Sequence, residues 1–272
     1  MALQIASINS GSNGNCYYIG NEQEAVLIDA GISCRETEKR MKKMGLDMAR
    51  VKAIFVSHEH GDHIKGVTTM ANRYYLPVYI THKTAGNGPR LIRHLSKPFV
   101  ADEPIIIGDL AITPFVKKHD AVDPHSFIIS DPTTTVGVFT DIGIACEQVT
   151  DYFKKCHAVF LEANYDEEML DKGSYPIHLK NRIKGEHGHL SNKQALELFL
   201  NHRPSFMSHV VLSHLSKENN HPQKAADLFS PHAAGVEIIV ASRHEPTPIF
   251  TISGDGNSLK KISKSQQLGL FS

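Results

Sequence analysis

The stretch His58-Glu59-His60-Gly61-Asp62-His63 decides how the rest of the chain is interpreted. It follows the apolar segment Ala53–Ser57, which is typical of a buried strand. Imidazole nitrogens and carboxylate oxygens are the ligands that zinc and related transition metals prefer. Alternate residues of an extended segment point the same way, so His58 and His60 can share one ion. Asp62 and His63 can then turn toward a second ion, and the stretch predicts a metal site at a strand end.

One local stretch cannot complete two metal sites, so further ligands must come from other strand ends on the same rim. Three residues meet this requirement: His119 after segment 111–115, Asp141 after segment 136–140, and His214 within segment 210–215. The competing interpretation is a solvated loop with incidental histidines. The agreement between ligand spacing and strand context argues against it.

The composition excludes several classes of protein. The chain has 272 residues, 29 Lys and Arg against 29 Asp and Glu, 17 His and four scattered Cys. Zero net charge excludes a bulk electrostatic binder of nucleic acid, although a local basic groove remains open, with basic excesses at 83–97 and 180–184. The sequence contains neither an apolar run long enough to span a bilayer nor a signal peptide, so we expect a cytoplasmic location and reduced cysteines.

Short apolar strands alternate with helices along the chain. Helices are predicted to begin after the capping residues Ser33 and Ser191 and at Pro222, and the first should end at Gly45. This pattern predicts an α/β sandwich with sheets inside and helices outside. We predict one domain over residues 1–256 and a polar tail over 257–272.

Five motifs in order resemble the metallo-β-lactamase superfamily: LIDAG (27–31), SHEHGDH (57–63), KHDA (118–121), FTDIG (139–143) and LSH (212–214). The resemblance implies an α/β fold, the αβ/βα four-layer sandwich, with the site on one edge of its two sheets. It also implies the metal ligands: His58, His60 and His119 for one ion, Asp62, His63 and His214 for a second, and Asp141 as a bridge. Asp29 would orient the histidine-rich loop from behind.

Two further segments resemble the paired glutamate and histidine motifs of the tRNase Z-like phosphodiesterases: Leu161-Glu162-Ala163-Asn164 and Gly188-His189-Leu190-Ser191. The resemblance implies that Glu162 orients His189, which protonates the leaving alkoxide, and that Asp62 belongs to the catalytic set. The residues after Glu162 and His189 depart from the family pattern. The alternative is that Glu162 is only a strand-end carboxylate and that His189 merely precedes a helix cap.

The whole-chain pattern resembles the YycJ (WalJ, VicX) group of the superfamily, on SGSNGNCYYI (10–19) and LSHLSKENN (212–220) among others. The resemblance implies a DNA exonuclease. The 10–15 segment precedes a strand, so we predict a tight turn lining the site rather than a phosphate cradle. Asn219 and Asn220 could bind a phosphate, or they could equally cap the helix near Pro222.

The C-terminal residues Gln267, Leu268, Leu270 and Phe271 resemble the peptide by which bacterial replication proteins bind the DNA sliding clamp. Leu270 and Phe271 would fill an apolar pocket while Gln267 makes polar contacts. A tail folded onto its own domain is an equally good interpretation.

These observations together predict a phosphodiester hydrolase that depends on two divalent metal ions and acts on DNA as a double-strand exonuclease in repair. The histidine-rich ligand set favours zinc, and phosphoryl chemistry also admits manganese. The alternatives are a small-molecule (cyclic) phosphodiesterase or other metallo-hydrolase, an RNA-processing nuclease, and a non-catalytic accessory protein.

Overall fold

The structure is a computed structural model that describes residues 2–254. Its strands, in chain order, are β1 Ala2–Asn9, β2 Cys16–Gly20, β3 Ala25–Ile28, β4 Val51–Phe55, β5 Val78–Tyr79, β6 Ser96–Lys97, β7 Ile105–Ile107, β8 Leu110–Val116, β9 His125–Ser130, β10 Thr135–Phe139, β11 Ala158–Glu162, β12 His209–Ser213, β13 Glu237–Val240 and β14 Phe250–Ser253. Its α-helices are α1 Cys34–Met44, α2 Gly61–Ile64, α3 Val67–Tyr74, α4 His82–Asn87, α5 Glu147–Phe153, α6 Glu167–Lys172, α7 Ile177–Lys184, α8 Asn192–His202 and α9 Pro222–Phe229.

Two mixed sheets carry the architecture of the described residues. The strand order is β14-β1-β2-β3-β4-β5-β6 in the first sheet and β13-β12-β11-β10-β9-β8-β7 in the second. β3 and β4 are parallel in the first sheet, and β10 to β13 are parallel in the second. The carboxyl ends of parallel strands lie at the same edge of a sheet, so the loops that follow them can converge there.

The sheets pack face to face, and helices cover their outer faces. Between the sheets, the rings of Tyr17 and Phe160 lie 4.8 Å apart and those of Phe55 and Phe127 lie 5.7 Å apart. On the outer faces, α1 and α3 pack against the first sheet, and α5, α8 and α9 pack against the second. The prediction of a four-layer αβ/βα sandwich is therefore confirmed.

The predicted helix caps are present. Ser33 Oγ accepts a hydrogen bond from Glu36 N at the start of α1, and Gly45 ends the helix with φ +75°. Ser191 and Gln194 form a reciprocal capping box at α8. The sequence did not predict α6 or α7, and α7 contains no buried residue that would create an apolar helical pattern.

Within residues 2–254, no helix combines the length and the apolar character needed to cross a membrane. The domain boundary predicted after residue 256 lies outside the described residues. So do the tail residues Gln267, Leu268, Leu270 and Phe271, and both remain predictions.

Candidate active site

The structure brings the seven predicted ligands together at one edge of the sandwich. The first group consists of His58 and His60, after β4, and His119, after β8. His58 Nε2 lies 3.1 Å from His60 Nδ1, and one ring nitrogen from each of the three residues lies within 4.8 Å of the others. The first sheet thus supplies two imidazoles and the second sheet supplies the third.

The second group consists of Asp62, His63 and His214, and their ligand atoms also lie within 4.8 Å of one another. His214 Nε2 is 3.4 Å from Asp62 Oδ2, and His63 Nε2 is 3.6 Å from the same oxygen. The sequence predicted that His214 lies within a strand, and this prediction is wrong. β12 ends at Ser213, and His214 follows it with φ +57°.

Asp141 lies between the two groups. Its Oδ2 is 3.2 Å from His63 Nε2, while its Oδ1 is 3.4 Å from His214 Nε2 and 3.8 Å from His119 Nε2. Asp141 has φ +55°, and Asp29, which supports His63 from behind, has φ +61°. Positive φ at a non-glycine residue costs conformational energy and is enriched at functional sites, and here it marks strand ends that carry site residues.

The residues present fit a metal centre. Within the described residues, buried His119 Nε2 and Asp141 Oδ2 make no hydrogen bond of acceptable geometry, although Asp120 Oδ1 lies 3.3 Å from the first and His63 Nε2 lies 3.2 Å from the second. A buried polar atom left without a partner is costly, and a bound cation would satisfy both atoms at once. The donor set is rich in imidazole with carboxylate oxygen, which matches the ligand preferences of zinc.

The protonation states of the first group support this fit. Burial lowers the pKa of His58 well below its ordinary value, and repulsion from His63 acts in the same direction. Burial also lowers the pKa of His119 to about 4. Both imidazoles are therefore neutral at pH 7, which is the form that binds a metal ion.

The second group attracts positive charge. Burial opposes protonation of His214, but the carboxylates of Asp141, Asp62 and Glu162 outweigh it and raise the pKa of His214 to about 10. Burial likewise disfavours the charge on Asp141, yet the surrounding histidines hold its pKa well below the ordinary value. A metal ion would compete with the proton for this position, so metal binding should release protons.

Hydrogen bonds hold three of the imidazoles from behind. His63 Nδ1 donates to Asp29 Oδ2 (2.7 Å), and His119 Nδ1 donates to the carbonyl of Gly188 (3.0 Å). His58 Nδ1 lies 2.9 Å from Ser57 Oγ, which itself donates to Asp29 Oδ2 (2.8 Å). Such contacts fix the tautomer and leave Nε2 free for the ligand position.

The predicted role of Asp29 in orienting the histidine-rich loop has a direct test. Both oxygens of Asp29 accept hydrogen bonds: Oδ2 from His63 Nδ1 and Ser57 Oγ, and Oδ1 from Ser57 N. Asp29→Asn keeps the shape and the tolerance of positive φ, but its NH2 group would face a donor in either orientation. We expect metal affinity to fall by about 10- to 100-fold, the usual effect of losing such a partner. Competition with a chromophoric zinc chelator measures it. Asp47→Asn, a cap before the opposite end of β4, is the matched control, and equal affinities for the two variants would refute the role.

Glu162 does more than the sequence indicated. Its Oε1 accepts from His189 Nδ1 (2.8 Å), as predicted, and also from His214 Nδ1 (3.0 Å). Its Oε2 accepts from the backbone N–H groups of Ile142 (2.8 Å) and Leu190 (3.1 Å). Burial opposes its charge, but His189 outweighs burial and the pKa of Glu162 falls to about 2. One ionised carboxylate therefore orients both a metal-ligand candidate and the predicted general acid.

Several supporting residues were missed by the sequence analysis. Asn164 Nδ2 donates to the carbonyl of His214 (2.9 Å), and the buried Lys117 Nζ donates to the carbonyl of Thr140 (2.7 Å), beside Asp141. Asn15 Nδ2 donates to Asp62 Oδ2 (3.2 Å), so the 10–15 turn does line the site. Asn15 and Asn164 lie within segments already singled out by their resemblance to known families, and that position is the signal that could have given them a role.

The two interpretations of Asn219 and Asn220 need correction. The cap of α9 is His221, whose ring accepts from Gln223 N. Asn220 is buried, and its Nδ2 donates to the carbonyl of Ala163 (2.8 Å) and to Asn192 Oδ1 (2.8 Å). The side-chain amide of Asn220 therefore ties together the loops behind the site and does not cap α9. Asn219 is also buried.

The ligand groups open into a cleft of about 180 Å³. His189 lies on its wall, together with Tyr175, Arg182 and Ile183 from the segment around α7. Arg182 Nε donates to Asp120 Oδ2 beside His119. The cleft therefore combines carboxylates, a cation and an imidazole around a shared opening.

Comparison with known proteins agrees with this geometry. A family model for the beta-lactamase superfamily domain matches residues 24–215. The match covers more than half of the chain and includes every predicted metal ligand, so the chain belongs to the metallo-β-lactamase superfamily and is a metal-dependent hydrolase.

Similar proteins indicate which group of the superfamily this chain resembles. The exodeoxyribonuclease YycJ of Bacillus anthracis is 34% identical over 81% of this chain and 85% of its own length. The exodeoxyribonuclease WalJ of Streptococcus pneumoniae is 31% identical over 81% of this chain and 84% of its own. The crystal structure of YhfI from Bacillus subtilis superposes with a TM-score of 0.67 at 17% identity, covering 91% of this chain and 99% of YhfI. The predicted resemblance to the YycJ group is confirmed.

Proposed function

We propose that this protein is a phosphodiesterase with two divalent metal ions that degrades double-stranded DNA as an exonuclease, in repair. One observation carries the proposal: His189, held by Glu162, stands in the cleft beside both ligand groups. A hydrolase whose leaving group needs no proton has no use for a histidine so placed. A phosphodiester does need it, because its leaving alkoxide is strongly basic.

The residues divide the chemistry among them. Divalent ions, when bound, supply Lewis acidity and a nucleophilic water at neutral pH. The seven-residue set (His58, His60, Asp62, His63, His119, Asp141 and His214) would hold those ions, with Asp141 between them. Glu162 remains a carboxylate, and its Oε1 accepts the Nδ1–H of His189, which leaves the Nε2 of that ring to deliver a proton to the leaving oxygen. Zinc is the favoured ion, and manganese is the second choice.

The choice of DNA rests on the two exodeoxyribonuclease relatives, since the cleft itself does not distinguish DNA from RNA. The predicted clamp-binding peptide of the tail belongs to the same proposal, because a nuclease of DNA ends would gain from attachment to the sliding clamp. A cytoplasmic location follows from that role.

A turnover panel tests the proposal. The substrates are end-labelled duplex DNA, single-stranded DNA, RNA and bis-p-nitrophenyl phosphate, each with Zn²⁺ or Mn²⁺, and Asp62→Ala is the inactive control. We expect progressive shortening of duplex DNA from its ends, absent in the variant. Cleavage of the small diester alone would replace the proposal with a metabolite phosphodiesterase. Cleavage of RNA alone would replace it with an RNA-processing nuclease.

A further inference from the structure

A second cavity of about 210 Å³ lies directly beside the cleft. We call it the lateral groove; its lining consists of Ser10, residues 215–217, residues 220–222 and residues 241–244. The 215–222 wall follows β12, and the 241–244 wall follows β13. These parallel strands are neighbours in the second sheet, so both walls lie at the edge that carries the ligand groups.

The lateral groove adjoins the cleft at Ser216. Ser216 lines both cavities and stands two residues after His214. Ser10 lines the lateral groove, and its Oγ accepts a hydrogen bond from His214 N (2.7 Å). Ser216 N donates to the carbonyl of Asn164 (2.8 Å), which fixes the junction. A polynucleotide strand bound at the ligand groups can therefore continue past Ser216 without leaving the protein surface.

Within the described residues, the lateral groove carries cationic side chains and lacks the carboxylates that line the cleft. The cleft is lined by Asp62, Asp120 and Asp141, whereas no carboxylate lines the lateral groove in the part of the chain that the structure describes. Lys217 and Arg243 supply its positive charge. The nearby Glu218 pairs with Lys217 at 3.5 Å, with both side chains exposed, and such an exposed pair is weak enough for a phosphate to displace.

The polar groups of the lateral groove suit an anion. Arg243 Nη2 donates to the carbonyl of Leu215 (2.6 Å), which anchors the guanidinium next to His214 and leaves its other N–H groups available. His221 and His244 add ring nitrogens. His221 and Pro222 also place the N-terminal end of α9 against the groove, and the dipole of a helix favours negative charge there. Backbone phosphates are the anions that a nuclease substrate presents in series.

We propose that the lateral groove is a phosphate-binding subsite for the polynucleotide strand whose scissile bond lies in the cleft. This inference rests on the proposed function and extends it. The protein would then prefer polynucleotides to small diesters, because only a polynucleotide has further phosphates that can reach the second cavity.

The test uses Lys217→Gln and the double variant Lys217→Gln/His244→Gln, made in the full-length protein. The binding probe is a 12-nucleotide single-stranded DNA. We expect Lys217→Gln to weaken its binding by about tenfold, the loss of one charge-assisted hydrogen bond, and to reduce the slope of log K against log salt by about 1. In turnover, the ratio of DNA cleavage to bis-p-nitrophenyl phosphate cleavage should fall by a similar factor.

Lys52→Gln is the matched control, because it removes the same charge at the opposite end of β4. If the groove variants bind and cleave DNA as Lys52→Gln does, the proposal of a phosphate-binding subsite is refuted. If the unaltered protein cleaves neither DNA nor the small diester, the proposed function itself fails. A methylphosphonate next to the scissile bond should slow the unaltered protein but not Lys217→Gln, and equal slowing of both would also overturn the subsite.

Discussion

Asp141→Asn should lower the hydrolysis of every substrate by at least about 10²-fold. Loss of a residue that only supports a metal ligand already lowers metal affinity or activity by ~10–100-fold in metal sites. The two oxygens of Asp141 lie between His63 and His214, and burial leaves no solvent to replace them. Asparagine keeps the volume and tolerates φ +55°, so the fold should survive while the negative charge between the two ligand groups is lost.

The measurement pairs turnover of bis-p-nitrophenyl phosphate with metal content by mass spectrometry. Asp131→Asn is the control, since Asp131 is buried in the turn before β10 at the end opposite to Asp141. It should retain both metal and activity. If Asp141→Asn turns over normally with a full metal complement, Asp141 is not a ligand that the reaction requires.

His189→Ala should slow the cleavage of DNA by about 10²- to 10⁴-fold, the range for loss of a general acid. The same variant should slow bis-p-nitrophenyl phosphate far less, because p-nitrophenolate leaves without a proton. A merely structural His189 would instead produce equal losses on the two substrates. The measurement is therefore the ratio of kcat/KM for the two substrates in the variant and in the unaltered protein.

Glu162→Gln should differ from His189→Ala in how it affects the two substrates. Glu162 Oε1 holds both His189 and His214, so its loss should impair the ligand group as well as the general acid. Both substrates should then slow together, and metal affinity should fall. Impairment of DNA cleavage alone would mean that the contact with His214 is unimportant.

The fold and the gathering of the predicted ligands at one sheet edge were accessible from sequence, because they rest on local patterns and on the ends of strands. Apolar strands, helix caps at Ser33 and Ser191, and the His58–His63 stretch are each legible within a few residues. By contrast, α7 contains no buried residue, so its sequence shows no apolar periodicity that would predict a helix.

The supporting residues were less accessible for a different reason. Asn15 and Asn164 have the composition of ordinary turns, and Lys117 has that of an ordinary surface cation. Their roles exist only because distant loops converge on one edge, and no spacing within the chain encodes that convergence. The second role of Glu162, toward His214, is of the same kind.

The division of the ligand groups between the two sheets has a consequence for folding. His58, His60, Asp62 and His63 come from the first sheet, and His119, Asp141 and His214 come from the second. Ions held by both sets would act as a cross-link that exists only in the assembled sandwich. By mass action, a ligand at 100 times its dissociation constant stabilises the native state by about 2.7 kcal/mol. Metal supply would then set the lifetime of the protein in the cell as well as its activity.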